Sequence, residues 1–119
     1  MKVTVRAPGG TYPVTIAEGA IERLPALFSG SVFRSGKKPS SLFLITDSKV
    51  RRHHGARVEA LLRETGIPIS TVPVPAGEGS KSAAQLERIW RAVLKKGADR
   101  RACFVALGGG MIGDLTGFA

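Results

Sequence analysis

The chain is short of cysteine, aromatic rings, acidic residues and long apolar runs, and each shortage removes a class of protein. A single cysteine, Cys103, in 119 residues cannot form an internal disulfide, which excludes a stapled secreted scaffold. It stands in an apolar run and reads as a small core residue rather than a reactive thiol. No run approaches the ~20 apolar residues of a membrane span. The opening Met1-Lys2-Val3-Thr4-Val5-Arg6 alternates like a strand and lacks a signal peptide's apolar centre. The expectation is a soluble, cytoplasmic protein with no membrane partner. One Trp and one Tyr leave few platforms on which bases could stack. The 9 acidic residues face 18 Lys and Arg, a net charge of +9 that suits an anionic partner. Yet the basic residues, among them Arg23, Arg34, Lys37, Arg51, Arg63, Arg88 and Lys95, are dispersed along the chain, so a solvated surface is expected and a nucleic-acid partner is not.

What is present is an alternation of strand and helix patterns. With 43% hydrophobic residues the chain can bury one modest core, which fits one domain or a large part of one. Residues 3–7 and 12–18 alternate about Pro8-Gly9-Gly10, predicting a hairpin. Ala20, Ile21, Leu24, Leu27 and Phe28 recur at helical spacing, and 29–41 reads as a loop. Leu42-Phe43-Leu44-Ile45-Thr46 is a continuous apolar run typical of a parallel strand covered on both faces, ending at Asp47. A helix over 50–65 follows, marked by His54, Val58, Leu61 and Leu62 and stopped by Gly66 and Pro68. Residues 69–74 form another strand. Ser82 and Gln85 fit a capping box ahead of a stripe of Leu86, Ile89, Trp90, Val93 and Leu94, expected to be core, with Gly97 closing that helix. The last strand, 102–107, runs into Gly108-Gly109-Gly110-Met111-Ile112-Gly113-Asp114 and the first turn of a helix. The fold class is therefore α/β, a Rossmann-like, mostly parallel sheet with flanking helices, incomplete at the C-terminus.

Ligands of such sheets gather beyond the carboxyl ends of the strands, and three predicted strands end there in polar groups. The terminal glycines let a backbone approach a bulky anion, and the new helix end favours negative charge. Read literally, Gly108 to Gly113 satisfies G-x-G-x-x-G, a weak signal alone. Asp47 ends one strand, and Glu78 with Lys81 follows another. A carboxylate there can accept both hydroxyls of a ribose, and a lysine can meet a phosphate. Plainer readings stand beside these: Asp47 as a helix N-cap, Glu78 and Lys81 as exposed loop residues, and Asp114 as a first-turn acid complementing the helix dipole. Adjacent His53 and His54 point about 100° apart on a helix with no ligand at i+4, so no metal site is expected in this chain.

The segments Pro75-Ala76-Gly77-Glu78-Gly79-Ser80-Lys81-Ser82, Gly97-Ala98-Asp99-Arg100-Arg101 and Ala106 to Ala119 together resemble the N-terminal domain of the 3-dehydroquinate synthase family. Looser similarity covers Tyr12-Pro13-Val14-Thr15-Ile16, Glu18-Gly19 and Thr46-Asp47-Ser48-Lys49-Val50. The resemblance implies an NAD site, with Asp47, Glu78 and Lys81, beside Gly77 and Ser80, at the ribose side. It puts Gly109, Gly110, Met111 and Gly113 along the pyrophosphate and Asp114 near the nicotinamide half. Lys49 stands where the family often has Asn, and Ala17 where a glycine is common.

For the full-length family the resemblance implies a carbon–oxygen lyase of the shikimate pathway acting on a sugar phosphate, 3-deoxy-D-arabino-heptulosonate 7-phosphate. NAD is used catalytically, together with a divalent metal, zinc or cobalt, and the enzyme is a homodimer. Residues 1–119 would then be part of its NAD-binding domain, without catalytic or metal residues, because the domain for metal and substrate lies further along; alone, the chain is expected to be inactive. A related sugar phosphate cyclase or a glycerol-dehydrogenase-like enzyme is the alternative among enzymes. Outside enzymes the alternative is a stand-alone nucleotide- or nucleic-acid-binding module.

Overall fold

A computed structural model describes residues 1–28 and 38–119. Most of the loop expected over 29–41 lies outside the described residues, and Ser41 already opens a strand. The chain begins with an antiparallel hairpin of β1 (Lys2–Ala7) and β2 (Gly10–Thr15) around Pro8-Gly9. A 3₁₀ helix, Ala20–Phe28, follows. Its apolar spacing is helical as predicted, but Pro25 lies inside it, and a proline ring cannot donate the bond an α-helix needs at that point.

A three-stranded parallel sheet forms the centre, in the order β4 (Ile69–Val74), β3 (Ser41–Asp47), β5 (Ala102–Leu107). The run 42–46 of β3 is wholly buried, as its unbroken apolar sequence requires. Its side chains alternate between two cores. Phe43 and Ile45 pack with Val72, Val74, Ile89, Val93, Met111, Ile112 and Leu115 on one face, while Leu42 and Leu44 pack with Phe28, Val58, Leu62 and Ile67 on the other. Helices α3 (Ala83–Lys95) and α4 (Gly110–Phe118) cover the first face. The second is covered by the 3₁₀ helix and by the helical segment after β3, in which α1 (Ser48–Val50) passes through a π-turn, Arg51–Gly55, into α2 (Ala56–Arg63).

Several residues sit differently from their sequence pattern. His54 falls in the π-turn and is exposed, because the wider turn rotates it off the face that buries Val58, Leu61 and Leu62. On α3 only Ile89 and Val93 are fully buried; Trp90 is 44% and Leu94 67% exposed, since three strands are too few to cover the whole stripe. β5 is only half-buried because it forms an edge of the sheet, and Cys103, expected as a core residue, shares that partial burial. Burial still raises the Cys103 thiol pKa, which suits an unreactive packing residue. The last helix extends from Gly110 to Phe118 rather than for one turn, so Asp114 lies in its second turn.

Candidate functional site at the strand ends

Parallel register places the carboxyl ends of all three strands on one edge. Asp47 is level with Val74, and Thr46 with Leu107. The segments following β4 and β5 therefore flank the end of β3, which brings the predicted strand-end groups to a common rim. Thr46, fully buried, donates its Oγ1 hydrogen bond to the Leu107 carbonyl at 2.8 Å and fixes the strand from which the glycine turn departs. Nothing in the sequence pattern singled it out, although a threonine closing an otherwise apolar run is the available signal.

Asp47 does act as a cap: its Oδ1 accepts the Val50 N–H at 2.8 Å. One carboxylate oxygen is engaged and the other is left for an outside donor, so the capping and binding readings are compatible. After β4, Gly77 adopts φ +106, a left-handed conformation that favours glycine, and Glu78–Ser80 make a single 3₁₀ turn. Ser80, 5% exposed, donates from Oγ to the Pro75 carbonyl at 2.6 Å and closes this loop on itself. Ser80 is thus a loop-shaping residue. Ser82 caps α3 by accepting the Gln85 N–H at 3.3 Å, whereas the Gln85 Oε1 has no partner, so only half of the expected capping box is made.

The glycine turn divides into two kinds of position. A Cβ on Gly108, at φ +156, would come within 2.9 Å of Cγ1 and 3.0 Å of Cβ of the buried Ile112, so this glycine is demanded by packing beneath the turn. Gly109 and Gly110 have nothing within 4 Å of such a carbon. Their exposed backbone opens α4 beside free N–H groups, a geometry suited to an anion. Gly113 is likewise open, but Met111 is buried in the core and contributes packing to the turn. Across the rim, Lys81 Nζ donates to Asp114 Oδ2 at 2.7 Å. This hydrogen bond, and then the carboxylate charges of Asp114 and Glu78, raise the Lys81 pKa above 10.5, so it is cationic at neutral pH. Both partners are about half exposed, so solvent screens the pair and it adds little to stability. Its effect is mainly to tie the loop after β4 to the helix after β5.

Beside this pair, Lys81, Ser82, Leu86, Asp114, Leu115 and Phe118 line a shallow hollow of about 220 Å³. The largest cavity described, about 580 Å³, instead lies between the hairpin base and the 3₁₀ helix, against Met1, Thr15, Ile21 and Leu24, and includes none of the rim residues. Among the described residues, no three His, Cys, Asp or Glu side chains come together as a metal site, and no helix is long and apolar enough to cross a membrane.

Residues 71–119 match the family model described as 3-dehydroquinate synthase N-terminal, a span that holds every rim residue except Thr46 and Asp47. Over 117 residues the chain is 40% identical to 3-dehydroquinate synthase of Bordetella pertussis, covering 98% of this chain and 31% of that protein. The chain is similar to part of 3-dehydroquinate synthase. The homologue of Gloeobacter violaceus, 37% identical, aligns with 100% of this chain and 32% of its own length. The chain thus spans about a third of the 3-dehydroquinate synthases it matches. Among solved structures, 2-deoxy-scyllo-inosose synthase superposes with a TM-score of 0.82 at 19% identity, over 98% of this chain and 31% of that one. For 2-epi-5-epi-valiolone synthase of Streptomyces hygroscopicus, with NAD+ and Zn2+ bound, the TM-score is 0.60 at 24% identity, over 80% of this chain and 26% of that one. These two likenesses establish the Rossmann-like fold.

Proposed function

We propose that the chain is the NAD-binding portion of a 3-dehydroquinate synthase and that the rim of the parallel sheet is its dinucleotide site. The observation that carries the reading is the convergence of Asp47, the Gly77–Lys81 loop and the Gly108–Gly110 turn on one edge, in a chain 40% identical to such an enzyme. Gly109 and Gly110 offer open backbone to the pyrophosphate. The free oxygen of Asp47 and the exposed Glu78 carboxylate accept ribose hydroxyls, Lys81 supplies positive charge nearby, and Asp114 orients Lys81 at the nicotinamide side.

Bound there, NAD would supply reversible hydride transfer at a carbinol of the sugar phosphate, while the protein binds and orients. The described residues gather no metal-ligand cluster, so no step is assigned to a metal in this chain. Catalysis by the whole enzyme, on 3-deoxy-D-arabino-heptulosonate 7-phosphate, requires groups outside these 119 residues. The chain alone is inactive on this reading.

Two measurements test this. NAD should raise the melting temperature of the chain in a saturable manner, because ligand at about 100 times its Kd adds ~2.7 kcal/mol of stability. An unmoved melting temperature at saturating NAD would refute the site. Phosphate release by the isolated chain, supplied with NAD, zinc and the sugar phosphate, would refute the claim that its catalytic groups lie elsewhere.

A further inference from the structure

The helical segment that leaves the end of β3 begins with cations and no acid. Between Asp47 and the next carboxylate, Glu59, stand Lys49, Arg51, Arg52 and Arg57. Two of these charges are used inside the fold: Arg51 pairs with Glu59 at 3.9 Å, and Arg57 pairs with Glu22. Lys49 is not. It is exposed, two residues beyond Asp47, and makes no hydrogen bond or ion pair among the described residues. It also lies in the first turn of its helix, where the peptide dipole disfavours a cation. Local structure therefore gives no reason for a lysine at this position, whereas an anion bound at the strand end would.

Asp47 is only a partial barrier to such an anion. A strand-end acid selects NAD by accepting the adenosine ribose hydroxyls and repelling a 2′-phosphate, and a nearby cation reverses that preference. Here the Val50 N–H holds one Asp47 oxygen at 2.8 Å, which fixes the carboxylate and leaves the other oxygen for the ribose. The flexible four-carbon stem of a lysine lets its ammonium approach a phosphate beside that oxygen as a point charge. From these observations we infer that Lys49 is a coenzyme-selecting residue: it holds the 2′-phosphate of NADP, so that the site takes NADP as well as NAD. The inference rests on the reading of the rim as a dinucleotide site with Asp47 at the adenosine ribose, and adds to it a second coenzyme and the residue that admits it.

The test is titration calorimetry of the chain with NAD and with NADP, in the parent, Lys49→Asn and Lys49→Arg, with circular dichroism to check folding. In the parent, NADP affinity is expected within about tenfold of NAD affinity. Lys49→Asn removes a charge-assisted bond and should lower NADP affinity about tenfold while changing NAD affinity little. Lys49→Arg keeps the charge and should bind both as the parent does. Added salt should weaken NADP binding more steeply than NAD binding in the parent, and that difference should shrink in Lys49→Asn. A parent that binds NAD but rejects NADP, or a Lys49→Asn chain with the parent's ratio of NAD to NADP affinity, would overturn this inference and leave the nucleotide site standing. Binding of neither nucleotide by the folded parent would overturn the site and the inference together.

Discussion

The sharpest test of the glycine turn is a comparison of Gly108→Ala with Gly109→Ala, one residue apart and opposite in expected effect. At Gly108 the added methyl meets Ile112, which is 1% exposed and packed among Phe43, Ile45 and Leu115, so it cannot swing into solvent. Overpacking of a filled core costs about 1–3 kcal/mol. A non-glycine residue held at φ +156 adds strain of about 1–3 kcal/mol. The combined loss, roughly 2–6 kcal/mol, is a large share of the ~5–15 kcal/mol available to a small domain. Gly109, with open space around its missing Cβ and an extended backbone at φ −85, should tolerate alanine within about 1 kcal/mol, the range of an N-cap change. Yet that methyl would stand where the pyrophosphate approaches, so NAD affinity should fall more than tenfold, about 1.4 kcal/mol. Urea denaturation and NAD titration measure the two quantities. A Gly108→Ala midpoint equal to the parent's would refute the packing argument; a Gly109→Ala chain that binds NAD normally would remove the pyrophosphate from this turn.

Two further expectations separate structural from binding roles. Asp47→Ala removes the cap on Val50 and should cost about 0.5–2 kcal/mol, whereas Asp47→Asn keeps a capping oxygen and should change stability little while weakening NAD binding. Unchanged NAD affinity in Asp47→Asn would reduce Asp47 to a cap. At the opposite end of the sheet, Asp99 accepts from the Ser40 hydroxyl at 2.5 Å and from the Arg101 N–H at 2.8 Å, and these bonds hold its pKa below 3.8. A depressed folded pKa gives stability that is present above 3.8 and is lost as pH falls through the lower folded value. Stability of Asp99→Asn followed from neutral to acid pH should lack this decline; an acid profile identical to the parent's would exclude the contribution.

The parallel sheet was legible because Leu42 to Ile45 is apolar without interruption, a pattern suited only to burial on both faces. Helix α3 was legible from Ser82, whose cap is formed, and from the spacing of Ile89 and Val93. Helix α4 was underestimated because Gly113 and Gly117 weaken helix propensity, and burial of Met111, Ile112 and Leu115 outweighs them. The exposure of Trp90 and Leu94 was not legible, since helical periodicity marks an apolar face without specifying what covers it. Within the rim, residue types and strand ends were readable from sequence. The capping bond of Asp47, the Thr46–Leu107 tie and the Lys81–Asp114 pair depend on strand register, which only the fold supplies.

The π-turn between α1 and α2 carries a consequence for the history of this segment. An i→i+5 turn holds one residue more than an α-helical turn between the same two ends. Removing one residue from Arg51–Gly55 would let the segment run as plain α-helix, with Asp47 still at its start and Val58, Leu61 and Leu62 still facing the sheet. Homologous chains that differ by a single insertion or deletion here can therefore share the same strand end and the same core, and such a length difference says nothing about their cofactor.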